Sequence, residues 1–522
     1  MAQVNGGHAL MHALDQAGIR LVLGVPGAGQ YEAVDAFYEH PRIRYVSLRH
    51  EQAASYMADG YARVTGELAA ALVLPGPGLL NASAGMATAH ACSSPMLVIT
   101  SPDKLDGRSG SKEVSPVLRS LTKWSAQANS VDEISGLVQE AVRQAKTGRP
   151  RPVGLEVSHA VLAAMGDVQT AAPTAAPLTD EIVPELLDQA ATLIAGAERP
   201  LIWAGSGVMS AGAWEQVKAL AERWSAPVAT TRSGKGALSD RHPLALGFAE
   251  LRYAPLRQAI NAADVIVAVG MSKDLSQVPA KVIRIDVDPA VVKRASGVSL
   301  LGDAAAVLDA LLAATRDLAP VRPHVEQEVA ALRAARFDPV KQLQPQWDLM
   351  QAMRAALPDD TVLAQGMTQM GYYSRNYWPT YAPRAYLTAS VHSTLGAAWP
   401  IALGAKLGAP DRPVVAVCGD GGFLYNAQEL ATAVQNEIAT VVVVFNDNAY
   451  GNVMRSQQEE FDGRVIGTRL HNPDFVQLAE SFGAWATRAH GASELGDALC
   501  AALAAKRPAL IEVPVGPMER EY

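Results

Sequence analysis

Cysteine is scarce in this sequence, with three residues, Cys92, Cys418 and Cys500, in a chain of 522. They lie far apart and show none of the short spacings found in metal-binding or disulfide-rich domains. This scarcity excludes a disulfide-stapled fold and a cysteine-ligated metal site. It is typical of proteins from reducing compartments, and we predict a cytoplasmic location.

Long apolar runs and basic blocks are absent as well. No apolar stretch is long enough to cross a bilayer without a charge or a turn residue, so we predict no membrane span. The N-terminal segment has neither a basic region nor an uninterrupted apolar one, and we expect no signal peptide. Lysine and arginine number 44 against 52 aspartate and glutamate, a net charge of −8. This balance excludes a typical nucleic-acid-binding protein.

Apolar residues make up 49% of the chain, which is enough for large buried cores. Runs rich in β-branched residues, such as 264–270, 414–419 and 439–446, alternate with alanine-rich helical runs. Such runs are typical of strands buried on both faces of a parallel sheet that is flanked by helices. We therefore predict an α/β protein built on mainly parallel sheets.

Two segments have the composition of linkers. Residues 166–180 are rich in alanine, proline and threonine, and residues 317–327 contain prolines and precede a polar helical segment. At about 150 residues per domain, the length of the chain fits three domains. The predicted domains cover residues 1–165, 185–315 and 345–522.

The most informative segment lies in the third predicted domain. A buried strand ends at the glycine-rich turn 419–422, a helix follows, and a second buried strand ends at 446–448. Glycines let backbone N–H groups approach a phosphate closely. Asp420 and Asp447 are suited to Mg²⁺, which binds carboxylates together with phosphates. Asp420 alone also fits an ordinary turn, but the acidic cluster after the next strand favours a magnesium–diphosphate site.

These motifs resemble those of thiamine-diphosphate (ThDP) enzymes, in particular the acetolactate synthase and benzoylformate decarboxylase group. The resemblance implies that the side chains of Asp420 and Asp447 and the backbone carbonyl of Ala449 hold Mg²⁺. Asp447 departs from the family pattern, because asparagine is commoner at that position. The other cofactor positions that the resemblance implies in this segment are Gly419, Gly421, Gly422, Asn448, Tyr450, Gly451 and Asn452.

Glu51 lies in a segment, 47–66, that is similar to the one carrying the family's catalytic glutamate. The resemblance implies that Glu51 hydrogen-bonds the aminopyrimidine ring of the cofactor and thereby promotes removal of a proton from the thiazolium ring. This role needs a carboxyl group held away from water. By itself, Glu51 also fits an acidic residue that stabilises a helix N-terminus. The first-domain loops that resemble cofactor-contacting loops contribute Pro26, Gly76 and Asn81.

Further candidates precede the diphosphate segment in the third domain. Leu395 resembles the bulky apolar residue that bends the family's cofactor into a V shape. Gly366 and Thr368 resemble a loop that contacts the pyrimidine ring. His392 is a candidate catalytic acid or base, and it also fits a residue that hydrogen-bonds within its own loop.

The resemblance places two candidate substrate contacts, Gln30 and Ala28, on a first-domain loop that is similar to a substrate-lining loop. Related decarboxylases and lyases carry serine or histidine in such loops. Ala28 and Gly29 therefore argue against close identity with benzoylformate decarboxylase or benzaldehyde lyase.

The middle block offers only a weak sign of a nucleotide site. Gly205 and Gly207 follow a strand, but the full glycine fingerprint of dinucleotide-binding proteins is incomplete. The block also lacks the arginine-containing loop of the acetolactate synthases that bear FAD. We therefore predict that the chain binds no flavin.

The resemblance implies the three-domain pyruvate oxidase/decarboxylase type, with the ThDP-binding fold twice and a Rossmann-like middle domain. It implies a homodimer or homotetramer, in which the first domain of one subunit meets the third domain of another at each active site. We predict a ThDP- and Mg²⁺-dependent enzyme that decarboxylates or carboligates a 2-oxo acid. Acetolactate-synthase-like and 2-hydroxyacyl-CoA-lyase-like activities, and a catalytically silent ThDP-binding regulator, remain alternatives, and the substrate stays open.

Overall fold

The structure is a computed structural model that describes residues 3–102, 115–167, 182–294, 296–318, 322–389 and 391–520. Residues 168–180 of the first predicted linker and residues 319–321 of the second lie outside the described residues. Each predicted domain region contains a six-stranded sheet whose neighbouring strands are all parallel. The predicted α/β fold class is thereby confirmed.

The first domain is a parallel sheet covered by helices on both faces. Its elements are β1 Gln3–Asn5, α1 Gly6–Gln16, β2 Leu21–Gly24, α2 Tyr31–Asp35, β3 Arg44–Ser47, α3 Glu51–Thr65, β4 Ala70–Leu72, α4 Pro77–Cys92, β5 Met96–Thr100, α5 Pro116–Leu121, β6 Ser125–Ala128, α6 Val131–Lys146, β7 Pro152–Val157, α7 His159–Ala163 and β8 Met165–Asp167. The strand order is β3-β2-β4-β5-β7-β6, and β1 and β8 form a separate antiparallel pair.

The middle domain has the same layered construction. Its elements are α8 Pro184–Ala195, β9 Pro200–Ala204, α9 Ser206–Ala211, α10 Trp214–Trp224, β10 Val228–Thr230, β11 Ala245–Phe248, α11 Ala254–Asn261, β12 Val265–Val269, β13 Lys281–Asp286, α12 Pro289–Val292, β14 Val298–Leu301, α13 Ala304–Ala314 and α14 Val325–Arg336. The strand order β11-β10-β9-β12-β13-β14 is that of a Rossmann sheet.

The third domain carries the segment singled out in the sequence. Its elements are α15 Gln346–Ala356, β15 Val362–Gln365, α16 Gln369–Tyr377, β16 Tyr386–Thr388, α17 Ala398–Gly408, β17 Val414–Gly419, α18 Asp420–Leu424, α19 Glu429–Gln435, β18 Val441–Asn446, α20 Gly451–Glu460, α21 Phe475–Ser481, β19 Trp485–Arg488, α22 Ala492–Ala504 and β20 Ala509–Pro514. The strand order is β16-β15-β17-β18-β20-β19.

The first and third sheets share one topology. When the strands of each sheet are numbered along the chain, both have the order 2-1-3-4-6-5. Successive connections leave the first strand in opposite directions, so a crevice opens at the carboxyl ends of strands 1 and 3, where open α/β sheets bind ligands. Among the described residues, no helix is both long and apolar enough to cross a bilayer.

A close crossing of α3 and α17 joins the first and third domains. A Cβ on Gly60 would lie 2.1 Å from the carbonyl oxygen of Ile401, and one on Gly404 would lie 1.9 Å from that of Met57. The two glycines therefore permit the backbones to approach, and buried residues of both domains form one hydrophobic core around them.

We expect Gly404→Ala to lower the melting temperature by several degrees. The added methyl group must push two backbones apart, and overpacking of this kind costs about 1–3 kcal/mol. Gly136→Ala is the matched control, because Gly136 lies in α6 with no atom within 4 Å of an added Cβ, and it leaves stability unchanged or higher. Calorimetric melting of the two variants measures the difference. Equal melting temperatures would contradict the close crossing.

Candidate active site

A cavity of about 250 Å³ lies at the carboxyl ends of β15, β17 and β18. The predicted cofactor and metal positions that line it are Thr368, Leu395, Gly419, Asp420, Gly421, Gly422, Asp447, Ala449, Tyr450, Gly451 and Asn452. Met367 and Gln369, which also line it, belong to the predicted loop of Gly366 and Thr368. The lining residues that sequence reasoning missed are Tyr372, Ser393, Phe445, Val453, Val515 and Met518. The motifs of the third domain thus converge on one cavity, which we call the cofactor cavity.

Two carboxylates lie at the floor of the cofactor cavity. Asp420 is the first residue of α18 and is 2% exposed, and burial raises its pKa. Burial, together with the charge of Asp420, raises the pKa of Asp447 to about 6. Burial therefore disfavours the ionised form of each group, and the charge of Asp420 adds to this effect at Asp447. A divalent cation bound to both would remove this penalty.

Glycines shape the wall beside these carboxylates. A Cβ on Gly421 would lie 2.5 Å from the ring of Tyr450, and a Cβ on Gly451 would lie 2.2 Å from Oδ2 of Asp447. Asn448 adopts a left-handed backbone conformation with φ of 53°. The turn after β18 brings the backbone of Ala449 to the cavity. The donor set of two carboxylates and one carbonyl fits Mg²⁺, which prefers oxygen ligands and keeps sites open for phosphates.

Asn472 is a polar residue of this site that the sequence analysis did not identify. Its Nδ2 donates to Oδ2 of Asp420 at 2.7 Å and lies 3.0 Å from Oδ1 of Asn446 and 3.3 Å from Oδ1 of Asn448. Asn446 in turn donates to Oε1 of Glu512 at 2.8 Å. Asn472 thereby fixes the orientation of the Asp420 carboxylate. The only sequence signal was an asparagine before a proline, which is typical of any turn.

We expect Asn472→Ala to weaken cofactor and Mg²⁺ binding by about 10–100-fold, the range found when a residue that orients a metal ligand is lost. Titration calorimetry with ThDP at saturating Mg²⁺ measures this change. Asn436→Ala is a suitable control, because Asn436 caps the end of α19 through the carbonyl of Thr432. Unchanged affinity in Asn472→Ala would show that Asp420 needs no orienting partner.

Glu51 is the first residue of α3, and its carboxylate faces the start of α4. Asn81 Nδ2 donates to Oε2 of Glu51 at 3.0 Å, and Oε1 lies 3.3 Å from the position of a Cβ on Gly78. Gly76, at φ 66° and ψ −114°, forms the N-cap of α4. The structure therefore brings Glu51 and Asn81 together beside Gly78, and Gly76 begins the helix that carries Asn81. Glu51 is only partly buried within the single chain.

The loops at the carboxyl ends of β2, β3 and β4 carry the first-domain candidates. Pro26 and Ala28 lie exposed after β2. Gln30 lies at the end of the same loop, where it precedes α2. It is 1% exposed, and its Nε2 donates to the carbonyl of Val73 at 2.8 Å, so it ties the β2 loop to the end of β4.

His392 lies outside the cofactor cavity. Ser393 and Leu395 line that cavity, whereas His392 is not among the described residues around it. The side chain of His392 is exposed, and the backbone N–H of this residue donates to the carbonyl of Ala389 at 3.2 Å. Burial lowers the pKa of His90, and His392 contributes to the lowering. Within the single chain, this geometry indicates that His392 is a surface residue of its loop.

Gly366 follows β15, and its N–H donates to the carbonyl of Val417 at 2.8 Å.

The glycines of the middle domain pack against one another. The N–H of Gly207 donates to the carbonyl of Gly270 at 2.9 Å, and a Cβ on Gly207 would lie 2.4 Å from Cα of Gly270. This packing explains why glycine stands at Gly207 and Gly270 without invoking a bound nucleotide. The expected lack of a flavin stays a prediction, and the visible absorption spectrum of the purified protein tests it.

Three models of thiamine pyrophosphate enzymes match the chain. The N-terminal TPP binding domain matches residues 4–123, the central domain matches 187–311, and the C-terminal TPP binding domain matches 365–513. Thiamine pyrophosphate is another name for ThDP. Together the matches include the middle sheet, most strands of the other two sheets and the glycine-rich turn at Asp420, whereas β6 and β7 of the first sheet lie outside them.

Curated relatives align over almost the whole chain. A probable acetolactate synthase large subunit of Methanocaldococcus jannaschii is 32% identical over 99% of this chain and 93% of its own. A probable 2-ketoarginine decarboxylase of Pseudomonas aeruginosa is 35% identical over 98% of this chain and 94% of its own. The large subunit of acetolactate synthase isozyme 1 of Escherichia coli is 29% identical over 99% and 95%. The chain therefore belongs to the family of thiamine pyrophosphate enzymes.

Proposed function

We propose that this protein is a ThDP- and Mg²⁺-dependent enzyme that decarboxylates a 2-oxo acid and, when an acceptor is present, joins the product to a second carbonyl compound. The observation that carries the proposal is the pair of carboxylates, buried Asp420 and partly buried Asp447, beside a glycine-lined wall at the carboxyl ends of β17 and β18. The relationship to a probable decarboxylase of 2-ketoarginine, itself a 2-oxo acid, supports the reaction class.

Residues of the third domain would hold the cofactor. Asp420, Asp447 and the carbonyl of Ala449 would bind Mg²⁺, which in turn binds the diphosphate. The backbone at Gly421 and Gly422 lines the same wall. Leu395 contributes an apolar side chain whose Cδ2 lies 3.7 Å from the position of a Cβ on Gly422.

Glu51 would carry the proton that it shares with the aminopyrimidine ring when the cofactor is activated. The bound cofactor supplies a nucleophilic carbon and an electron sink, which 2-oxo acid decarboxylation requires. Glu51 would hydrogen-bond the aminopyrimidine nitrogen and keep that ring in the form that accepts a proton. Asn81 orients the Glu51 carboxylate through its hydrogen bond.

The test is release of CO₂ from a panel of 2-oxo acids with ThDP and Mg²⁺, with and without an acceptor aldehyde. Release without an acceptor, yielding the matching aldehyde, identifies a decarboxylase. Release that yields a coupled product, with the added aldehyde or with a second molecule of the 2-oxo acid, identifies a carboligase. No release from any acid while the cofactor is bound would overturn the proposal in favour of a lyase or a catalytically silent protein.

We also propose that a second copy of the chain completes each active site, in a homodimer or homotetramer. The residues that line the cofactor cavity all lie between 367 and 518, whereas Glu51 lies in the first domain. Apolar side chains on both halves are exposed in the single chain: Leu80 by 47%, Tyr425 by 48% and Val453 by 53%. Burial of such side chains favours association.

Mixing two inactive variants tests the shared site. A dimer of one Glu51→Gln chain and one Asp420→Ala chain contains one site with both native residues, so activity should reappear on mixing. Failure to recover activity, with mixed dimers demonstrated by mass spectrometry, would place each site within one chain.

We further propose that the enzyme acts in the cytoplasm. Its three free cysteines support this location.

A further inference from the structure

A second cavity, of about 220 Å³, adjoins the cofactor cavity. Gln369, Tyr372 and Asn452 line both, and the side-chain amides of Gln369 and Asn452 are 3.2 Å apart. Unlike its neighbour, the second cavity is lined by many charged groups. They comprise four arginines and two glutamates, namely Arg232, Arg252, Arg375, Arg520, Glu250 and Glu519.

Two of the four arginines have carboxylate partners. Arg252 binds Glu250, with Nε at 3.1 Å from Oε1 and Nη2 at 3.1 Å from Oε2. Arg520 pairs at 3.5 Å with Glu459. Among the described residues, no carboxylate lies within 4.0 Å of a guanidinium nitrogen of Arg232 or Arg375. We call these two residues the arginine pair.

The surroundings of Arg375 offer it little compensation for burial. Its guanidinium lies 4.6 Å from the centre of the Tyr372 ring, and Nη2 lies 3.9 Å from Sδ of Met367. Its Nε is buried without a hydrogen-bond partner. Burial, and then the charges of Arg232 and Arg252, lower the pKa of Arg375. A guanidinium in this setting is stabilised when an anion enters the cavity.

The arginine pair comes from two domains and lies in the cavity that adjoins the cofactor cavity. Arg232 follows β10 of the middle domain, and Arg375 lies in α16 of the third domain. The shared lining residues Gln369 and Tyr372 belong to the same helix α16. A substrate whose reacting carbon lies in the cofactor cavity can therefore extend its far end toward the arginine pair.

We infer that the arginine pair binds a second anionic group on the substrate, so that the preferred substrate is a 2-oxo acid with a carboxylate, sulfonate or phosphonate at its far end. This inference rests on the proposed function. Planar guanidinium groups suit such ligands, because they form paired hydrogen bonds with carboxylate and related anions. Arg252 is not assigned this role, because its guanidinium already binds Glu250.

The test compares three substrates of similar length: 2-oxoadipate, which is anionic at its far end, 2-oxohexanoate, which is neutral, and 5-guanidino-2-oxopentanoate, which is cationic. The native enzyme should prefer 2-oxoadipate. Arg232→Gln and Arg375→Gln should each lower kcat/KM for 2-oxoadipate by about 10–100-fold, the range for loss of a charge-assisted hydrogen bond, and leave 2-oxohexanoate within about twofold. Arg316→Gln is the control, because Arg316 is 77% exposed and pairs with its neighbour Asp317.

A binding measurement separates this inference from the proposed function. Glutarate should raise the melting temperature of the full-length protein, valerate should not, and Arg232→Gln should abolish the glutarate effect. Preference for the neutral or the guanidinium substrate would overturn the inference and leave the proposed function standing. If no 2-oxo acid is turned over, the proposed function fails, and the absence of glutarate protection would then overturn the inference as well.

Discussion

Glu51→Gln is expected to lower kcat for CO₂ release by about 10²–10⁴-fold, the contribution of a positioned acid–base group. Glutamine keeps the shape of the side chain and can still contact Asn81, but it cannot exchange a proton with the cofactor. ThDP and Mg²⁺ should bind the variant with nearly native affinity, because the ligands of the metal lie in the third domain. Turnover and titration calorimetry on the same preparation measure both effects.

Glu67→Gln is the matched control for this prediction. Glu67 lies in the same domain, is exposed, and pairs with Lys146 at 2.6 Å, so its loss should leave kcat unchanged. A Glu51→Gln enzyme that retains more than about a tenth of native kcat would contradict the role assigned to Glu51.

Asp420→Ala is expected to weaken ThDP·Mg²⁺ binding by more than a hundredfold. Loss of a residue that merely orients a metal ligand costs about 10–100-fold, and Asp420 is proposed as a ligand itself. Asp420 is 2% exposed, so its carboxylate faces the interior of the site. Titration calorimetry gives the affinity, and circular dichroism shows whether the variant retains its fold. Affinity within tenfold of native would rule out Asp420 as a metal ligand.

Asp447→Asn is the matched variant, and its effect should depend on pH. Asparagine keeps an oxygen ligand, so ThDP·Mg²⁺ affinity should stay within about tenfold of native. The folded-state pKa of Asp447 is raised from 3.8 to about 6. Because the folded protein binds this proton more tightly than the unfolded chain does, the free energy of unfolding falls as pH rises from about 4 to about 6. Without cofactor, Asp447→Asn should therefore melt higher than the native protein above about pH 6 and no higher near pH 4.

The sequence predicted that the Asp420 and Asp447 segments lie together, because they follow two strands that are neighbours in the sheet. β17 pairs in register with β18, so the turns after Gly419 and Asn446 meet at one edge. A contiguous strand–helix–strand segment leaves few alternatives for this arrangement. The Glu51 helix was recognisable for a different reason, the resemblance of segment 47–66 to the family's glutamate segment. Its contact with Asn81 joins helices that follow β3 and β4, and β2 separates these two strands in the sheet.

The remaining contributions depend on packing between distant segments. Asn472 reaches Asp420 from a loop far along the chain, and Arg232 reaches the cavity edge from another domain. Neither carries a periodicity or a motif that could predict its partner. Gln30 stays a predicted substrate contact, and its amide donates to the carbonyl of Val73, a contact that forms only when β2 and β4 pair.

Proton exchange at the thiazolium carbon tests the central claim most directly, because it requires no knowledge of the substrate. The protein is mixed with ThDP and Mg²⁺ in D₂O, quenched with acid at set times, and the loss of the C2 proton is followed by NMR. Glu51 should accelerate exchange far above that of free ThDP, and Glu51→Gln should return it close to the free rate at full cofactor occupancy. Equal exchange in the native protein and the variant would contradict the account.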